Sequence, residues 1–389
     1  MTSNAASLAI GTLALVALGG CATTTDQAGA GAQATRTSAG ASAAASPSMP
    51  ASRRSLASFA KSNTGQACYD RKTEPYTAVV DAHFHPRPFG GQAMEPTRLF
   101  EIFDKNGVRF VNYFGIGQSL DMKSACTYYL DCPGTTALPS IKNDFVNGQE
   151  TKVYPHDNLN IVLSMSFFDL AHPESAVKTI ELYDRECPGM FKWAGEVNLE
   201  KQALLKNLHE PGTLKSIDGW APFMKILRER GIPITIHSDL GNDANPTQFV
   251  PLMQHVLKKY PDNKIVWAHM GLSKELSKMD PKQHIAIMKK ALDSSPNLYL
   301  DISWDVLYNA YHEYGADFVA FFNAYPDRIL PGSDFVAAGN KPDEQYAKEL
   351  EVTSRVNRVL NDEAFRKIAL GENYFRLLNL DYQAPEICK

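Results

Sequence analysis

The stretch Val79–Gly91, "VVDAHFHPRPFGG", decides how the rest of the chain is read. An apolar run ends in two histidines one residue apart and then breaks at once into prolines and glycines. In an extended strand every second side chain faces the same way, so His83 and His85 share a face, about 7 Å apart in rise, with Asp81 one step earlier. Two imidazoles so placed can grip one ion. The alternative is a strand end that happens to carry two histidines, and only further ligands elsewhere in the chain separate the two.

Downstream of this motif, short β-branched or apolar runs alternate with helical patterns. The runs predict strands at 78–85, 109–116, 159–167, 191–198, 232–238, 264–269, 297–303 and 329–334. Helix-like stretches such as "PTRLFEIFDKNG", "GWAPFMKILRERG" and "KQHIAIMKKALDSS" fall between them, many closing on Gly or Pro. Eight strands alternating with helices over roughly 320 residues predict an α/β fold of the (β/α)8 TIM-barrel type. A doubly wound open sheet would call for a glycine-rich phosphate turn after an early strand, and the sequence has none.

Barrel chemistry sits at the C-terminal ends of the strands. Strand 1 ends in His83 and His85, strand 4 near Glu196, strand 5 in His237, strand 6 in His269 and strand 8 in Asp334. A single such histidine is more often a hydrogen-bonded core residue. Four of the chain's ten histidines at strand ends, together with carboxylates on the same rim, point instead to a divalent metal, most simply zinc.

With these residues in place, the sequence resembles the amidohydrolase superfamily, in its amidohydrolase-related branch. The resemblance runs over about residues 76–382 and rests on Asp81-Ala82-His83-Phe84-His85, His237, His269, "GSD" with Asp334, and the closing "KIALGENYFRLLNL". It implies a barrel holding one or two divalent ions, with a metal-bound water or a metal-held substrate as the reactive species. Two departures stand out. Where binuclear members often carry a carboxylated lysine on strand 4, Lys192 lies on the face of Glu196 but about 13 Å lower. Glu196 is at the right height, as a bridge between two ions or as a hydrogen-bond partner of a ligand. The second departure is a long insertion after strand 2, roughly 119–157, expected to fold over the barrel mouth.

The chemistry expected of such a site follows from charge placement. An ion held by His83, His85, His237 and Asp334 lowers the pKa of bound water from 15.7 to about 7. Asp334 is then the candidate to take a proton from that water and return it to the leaving group. His269 is either a ligand of a second ion or a donor to a developing oxyanion. Arg87 is a candidate partner for a substrate carboxylate, and Trp304 and Tyr308 are candidates to line the pocket or simply to pack. Hydrolysis of an amide, ester or lactone of a small molecule is the first reading. Decarboxylation or hydration of an aromatic or unsaturated acid is the second, and a non-catalytic tethered binding protein is a third, from another class.

The two ends of the chain carry different signals. Residues 1–20 hold no charge and an apolar core of signal-peptide length. They end in "LGG" before Cys21, which resembles a bacterial lipoprotein signal with Cys21 as the lipidated residue, although no Lys or Arg precedes the apolar run. Residues 21–70 begin as an Ala/Ser/Thr/Gly-rich stretch and read as a flexible tether, leaving 71–389 for the barrel. An exported, membrane-anchored enzyme of the cell envelope, or a secreted one, is expected. The 389 residues are 44% hydrophobic and 21% charged, ordinary for a large-cored globular protein, and the net charge of −4 with no basic cluster argues against a nucleic-acid partner. An oxidising compartment favours cysteine pairing. In a barrel, Cys126 and Cys132 belong to the mouth, whereas Cys68, Cys187 and Cys388 belong to the opposite end. The expected pairs are Cys126–Cys132 and Cys68–Cys388, with Cys187 left as a buried thiol or replacing Cys388.

Overall fold

A computed structural model describes residues 53–74, 78–116, 118–119, 126, 132–135, 138–139, 141–166, 168–310 and 315–389. Nine short parallel strands form one sheet: β1 (Val80–His85), β2 (Phe110–Tyr113), β3 (Asn160–Met165), β4 (Phe191–Glu200), β5 (Ile234–Ser238), β6 (Ile265–Trp267), β7 (Leu298–Asp301), β8 (Ile329–Leu330) and β9 (Phe335–Val336). Each pairs with the next in order from β1 to β8, and β9 pairs with β1. Strands β8 and β9 are two halves of one barrel position. Between them the backbone stays bonded to β1, where Ala82 donates to the Pro331 carbonyl at 3.0 Å and Asp334 to the His83 carbonyl at 2.8 Å, while Ile302 after β7 donates to the Leu330 carbonyl at 3.0 Å. The sheet therefore closes on itself as a TIM-type barrel with helices alternating outside.

The local reasons are legible. Every residue of β1 is buried, as in a parallel strand covered on both faces. The helix Pro96–Asn106 opens on proline and ends at Gly107 in the left-handed region (φ 76°). It buries Leu99, Ile102 and Phe103, the i, i+3, i+4 face. No helix among the described residues is long and apolar enough to cross a membrane.

Three sequence expectations are corrected. The folded domain reaches back at least to Arg53 rather than starting at 71. Phe59 is fully buried beneath the barrel against Phe110 and Phe375 (ring centroids 5.5 and 6.4 Å), and Tyr69 pairs its backbone with Glu386 and Cys388. The signal segment, Cys21 and the tether as far as residue 52 lie outside the described residues. Within the supposed 119–157 insertion, Lys142–Val153 is the ordinary crossover helix before β3. The extra chain is what precedes it, where Gln118–Ser119 pairs antiparallel with Leu138–Pro139. Finally, Lys192 does not accompany Glu196 into the site: Lys192 is exposed and Glu196 buried. The pairing of β3 with β4 shifts between Leu163–Phe191 and Ser164–Trp193, an extra residue at Lys192 that breaks the two-residue alternation.

Disulfides join Cys68 to Cys388 and Cys126 to Cys132. Cys187 is buried and is itself in a disulfide, not the leftover thiol expected; its partner lies outside the described residues. The Cys68–Cys388 bond spans 320 residues and ties the two ends of the barrel domain together. The chain-entropy model gives a loop of that length about 6 kcal/mol, less any strain. Non-reducing peptide mapping should recover both cross-links, and Cys68→Ser should lower the unfolding free energy by several kcal/mol in denaturant titration. A melt unchanged in the variant would show that the bond is dispensable.

Candidate metal centre

The barrel brings together side chains from five strand ends that are up to 251 positions apart in sequence (His83 to Asp334). His83 and His85 meet with Nε2 atoms 3.3 Å apart. Asp334 Oδ1 lies 3.3 Å from His83 Nε2 and 3.2 Å from His85 Nε2. Glu196 turns Oε2 to the same pair, at 3.6 and 3.3 Å. Its Oε1 faces His237 Nδ1 at 2.6 Å and His269 Nε2 at 3.8 Å. The cluster forms three overlapping sets: His83–His85–Glu196–Asp334 and Glu196–His237–His269 share Glu196, and His83–His269–Asp301 shares one histidine with each.

The outer nitrogens are held from behind. His83 Nδ1 meets Asp301 Oδ2 at 2.6 Å, and His85 Nδ1 meets the Phe114 carbonyl at 3.2 Å. A carbonyl can only accept, so His85 carries its proton on Nδ1 and aims the Nε2 lone pair at the centre. His237 Nε2 lies 3.0 Å from Asp239 Oδ1, and His269 Nδ1 lies 3.0 Å from Ser303 Oγ.

The donor set fits a divalent cation. Four buried imidazoles stand among four carboxylates (Glu196, Asp239, Asp301, Asp334) and one ammonium, Lys201, an excess of negative charge that neutral imidazoles do not balance. His269 Nε2 is buried with no hydrogen-bond partner among the described residues, a nitrogen positioned but unused. Burial pulls the His83 imidazole down, but Asp301 and Asp334 outweigh it and push it well above the ordinary range. Burial would raise Asp334, yet His269, His83 and His85 hold its carboxyl well below the usual range. For Glu196 burial is likewise overcome, by Lys201 and His237.

Local backbone serves the same end. Asp334 (φ 59°), His269 (φ 52°) and Trp304 (φ 68°) are all left-handed, a conformation that costs a non-glycine residue roughly 1–2 kcal/mol. Gly195 must be glycine, since a Cβ there would run into the Thr235 carbonyl on β5. Gly332 must be too, because its Cβ would sit 2.8 Å from His83 Cβ.

Above the cluster opens a cavity of about 450 Å³, lined by His85, Asp334, Phe89 and Trp304 and by lysines that sequence reading did not single out. Trp304 stands against His269, ring centroids 5.0 Å apart. Tyr308 packs instead, its hydroxyl donating to the carbonyls of Ile302 and Thr353. Arg87 does not reach the cavity. It is fastened to Asn147 at 3.0 Å and paired with Glu150 on the helix Lys142–Val153, because the first loop turns outward there. Asp81 does not join the cluster either; its carboxylate accepts from Ser333 and Tyr346. Asp301 and Asp239 were missed as well, and each follows its histidine's outer nitrogen rather than a sequence spacing.

A barrel with this rim defines a divalent-metal enzyme. Residues 173–380 match the amidohydrolase family model, just over half of the sequence, and the chain belongs to that family. The fold is shared with the β-aspartyl dipeptidase of Fervidobacterium islandicum, solved with a β-Asp-Leu dipeptide (13% identity over 80% of this chain and 75% of that one, TM-score 0.50). Two further likenesses are dihydroorotase from Campylobacter jejuni (14% identity, 78% and 83% covered, TM-score 0.45) and a zinc-bound amidohydrolase from Burkholderia multivorans (11%, 78% and 99%, 0.46). No curated protein matches the chain.

The carboxylate behind His83 is open to test. Asp301→Asn keeps the acceptor for the Ser303 amide but removes the charge from His83 Nδ1, and should weaken metal binding about 10–100-fold in chelator competition. Unchanged affinity would separate Asp301 from the centre.

Proposed function

We propose that the enzyme is a zinc-dependent hydrolase that cleaves an amide, ester or lactone bond of a small molecule. The observation that carries this reading is the two-sided engagement of Glu196, whose oxygens turn to His83 and His85 on one side and to His237 and His269 on the other. A carboxylate so placed can serve two cations at once. Asp334 spans the same gap, with Oδ2 3.9 Å from His269 Nε2. The nitrogen-and-oxygen donor set suits zinc. When bound, such ions supply a Lewis acid for a carbonyl and a water acidic enough to attack it.

The chain's own residues supply the rest. Asp334 is the most exposed of the four residues in the His83–His85–Glu196–Asp334 set (side chain 16% exposed) and borders the cavity. As a committed anion there, it accepts a proton from water and delivers it to the leaving group. Its left-handed backbone aims the carboxylate between His83, His85 and His269. Trp304 walls the cavity and limits water beside His269. The disulfides support an oxidising compartment, and we place the enzyme outside the cytoplasm, in the cell envelope or secreted.

Metal analysis of the purified protein should give close to two ions per chain, and fewer in Glu196→Gln. Asp334→Asn should lose turnover by orders of magnitude in a screen of lactones, esters, N-acyl compounds and aromatic acids. Saturation at one ion would remove the bridge, and full activity in metal-loaded Asp334→Asn would remove the proton carrier. Release of CO2 without hydrolysis would reassign the same ligand set to decarboxylation.

A further inference from the structure

Lysines enter the cavity from three separate loops: Lys201 directly after β4, Lys274 after β6 and Lys341 after β9. Lys201 lies deepest, 8% exposed, with Nζ 3.2 Å from Glu196 Oε1. An ammonium has three N–H donors, and Glu196 is the one carboxylate within hydrogen-bond distance of it among the described residues. That same oxygen is already engaged by His237 Nδ1 at 2.6 Å. A buried cation costs free energy unless an anion is matched to it. Glu196 is also the carboxylate whose charge a bound metal would draw upon, which leaves the other Lys201 donors to find an anion in the cavity they border.

The surroundings describe that anion. Lys274 Nζ stands 5.7 Å from the centroid of the Trp304 ring, and that ring stands against His269. Lys341 Nζ lies over Phe335 (4.2 Å) and 3.8 Å from Glu349, whose carboxylate also accepts from Gln345. Cationic groups thus lead from the mouth to the floor, beside one indole face. Arg87, the residue that sequence favoured for binding a substrate anion, is tied up elsewhere.

Resting on the reading of the site as a metal-dependent hydrolase, we infer that the substrate is a small-molecule carboxylate, its anionic group bound by Lys201 and its flat or apolar part laid on Trp304. A single buried ammonium beside Glu196 and Asp334 matches a singly charged group, whereas a phosphate would set two charges against those carboxylates. Lys274 and Lys341 draw the anion in at the mouth.

The test is calorimetric titration of the metal-loaded full-length protein with benzoate and with benzamide, its neutral counterpart, alongside inorganic phosphate. Benzoate should bind at least tenfold more tightly than benzamide and than phosphate. Lys201→Met should lose at least tenfold in benzoate affinity with metal content unchanged, and Lys201→Arg should recover most of it. Benzoate affinity unaltered in metal-replete Lys201→Met would mean that the ion alone holds the carboxylate, and would overturn the proposal. Should Lys201→Met lose metal or fail to fold, the double variant Lys274→Met/Lys341→Met decides, since neither residue touches a proposed ligand. It should lose severalfold in its preference for benzoate over benzamide, and an unchanged preference would overturn the proposal. Failure of the hydrolase reading would be seen separately, as absence of stoichiometric metal whichever way benzoate binds.

Discussion

Closure of the barrel between its first and last strands is the constraint on which the site depends, and one buried carboxylate holds it. Asp81 accepts from the Ser333 amide at 2.9 Å, the Ser333 hydroxyl at 2.6 Å, the Tyr346 hydroxyl at 3.0 Å and the His83 amide at 3.3 Å. Burial pushes its carboxyl up to about 6 even against these donors, so the network stands in a poorly solvated place where an unmade bond is expensive. By gripping Ser333 it sets the next residue, Asp334, beside His83 and His85. Gly332 completes the closure by letting the last strand approach His83 with no side chain in between.

Strain and charge are concentrated on the same rim. Left-handed conformations at His269, Trp304 and Asp334 and a crowd of carboxylates around four imidazoles are each unfavourable alone. They persist because the strands below are packed into one continuous core, with Trp193, Trp267 and Phe84 fully buried. Stability made in the lower barrel sustains a rim organised for a cation. The segments flanking the barrel strengthen that lower part, where Phe59 and the Cys68–Cys388 bond cover the barrel floor.

The loops add selectivity to this frame. The insertion before Lys142 is stitched to the loop after β4, with the Asn207 amide donating to the carbonyls of Cys132 and Thr135 at 3.0 and 2.6 Å. Beneath that junction Phe89, Ile116, Ala203 and Leu204 form a small apolar cluster of their own. The cavity wall that includes Phe89 is thereby fixed.

Much of this was legible in one dimension. Strand count, helix alternation and the residues His83, His85, Glu196, His237, His269 and Asp334 were readable because backbone periodicity and strand-end position are local properties of sequence. What only the tertiary structure decided depends on contacts between distant loops or on a single slipped residue. Lys192 stayed exposed beside a register shift, the Arg87 loop turned away to Glu150, and residues 53–70 packed where composition suggested a tether. Asp239, Asp301 and Lys201 gained their places from the imidazole nitrogens and the carboxylate they face, and no spacing in the chain encodes such a direction. Which side chains stand at the strand ends is written in the sequence, whereas their orientation and the charge lining the cavity exist only once the barrel has closed.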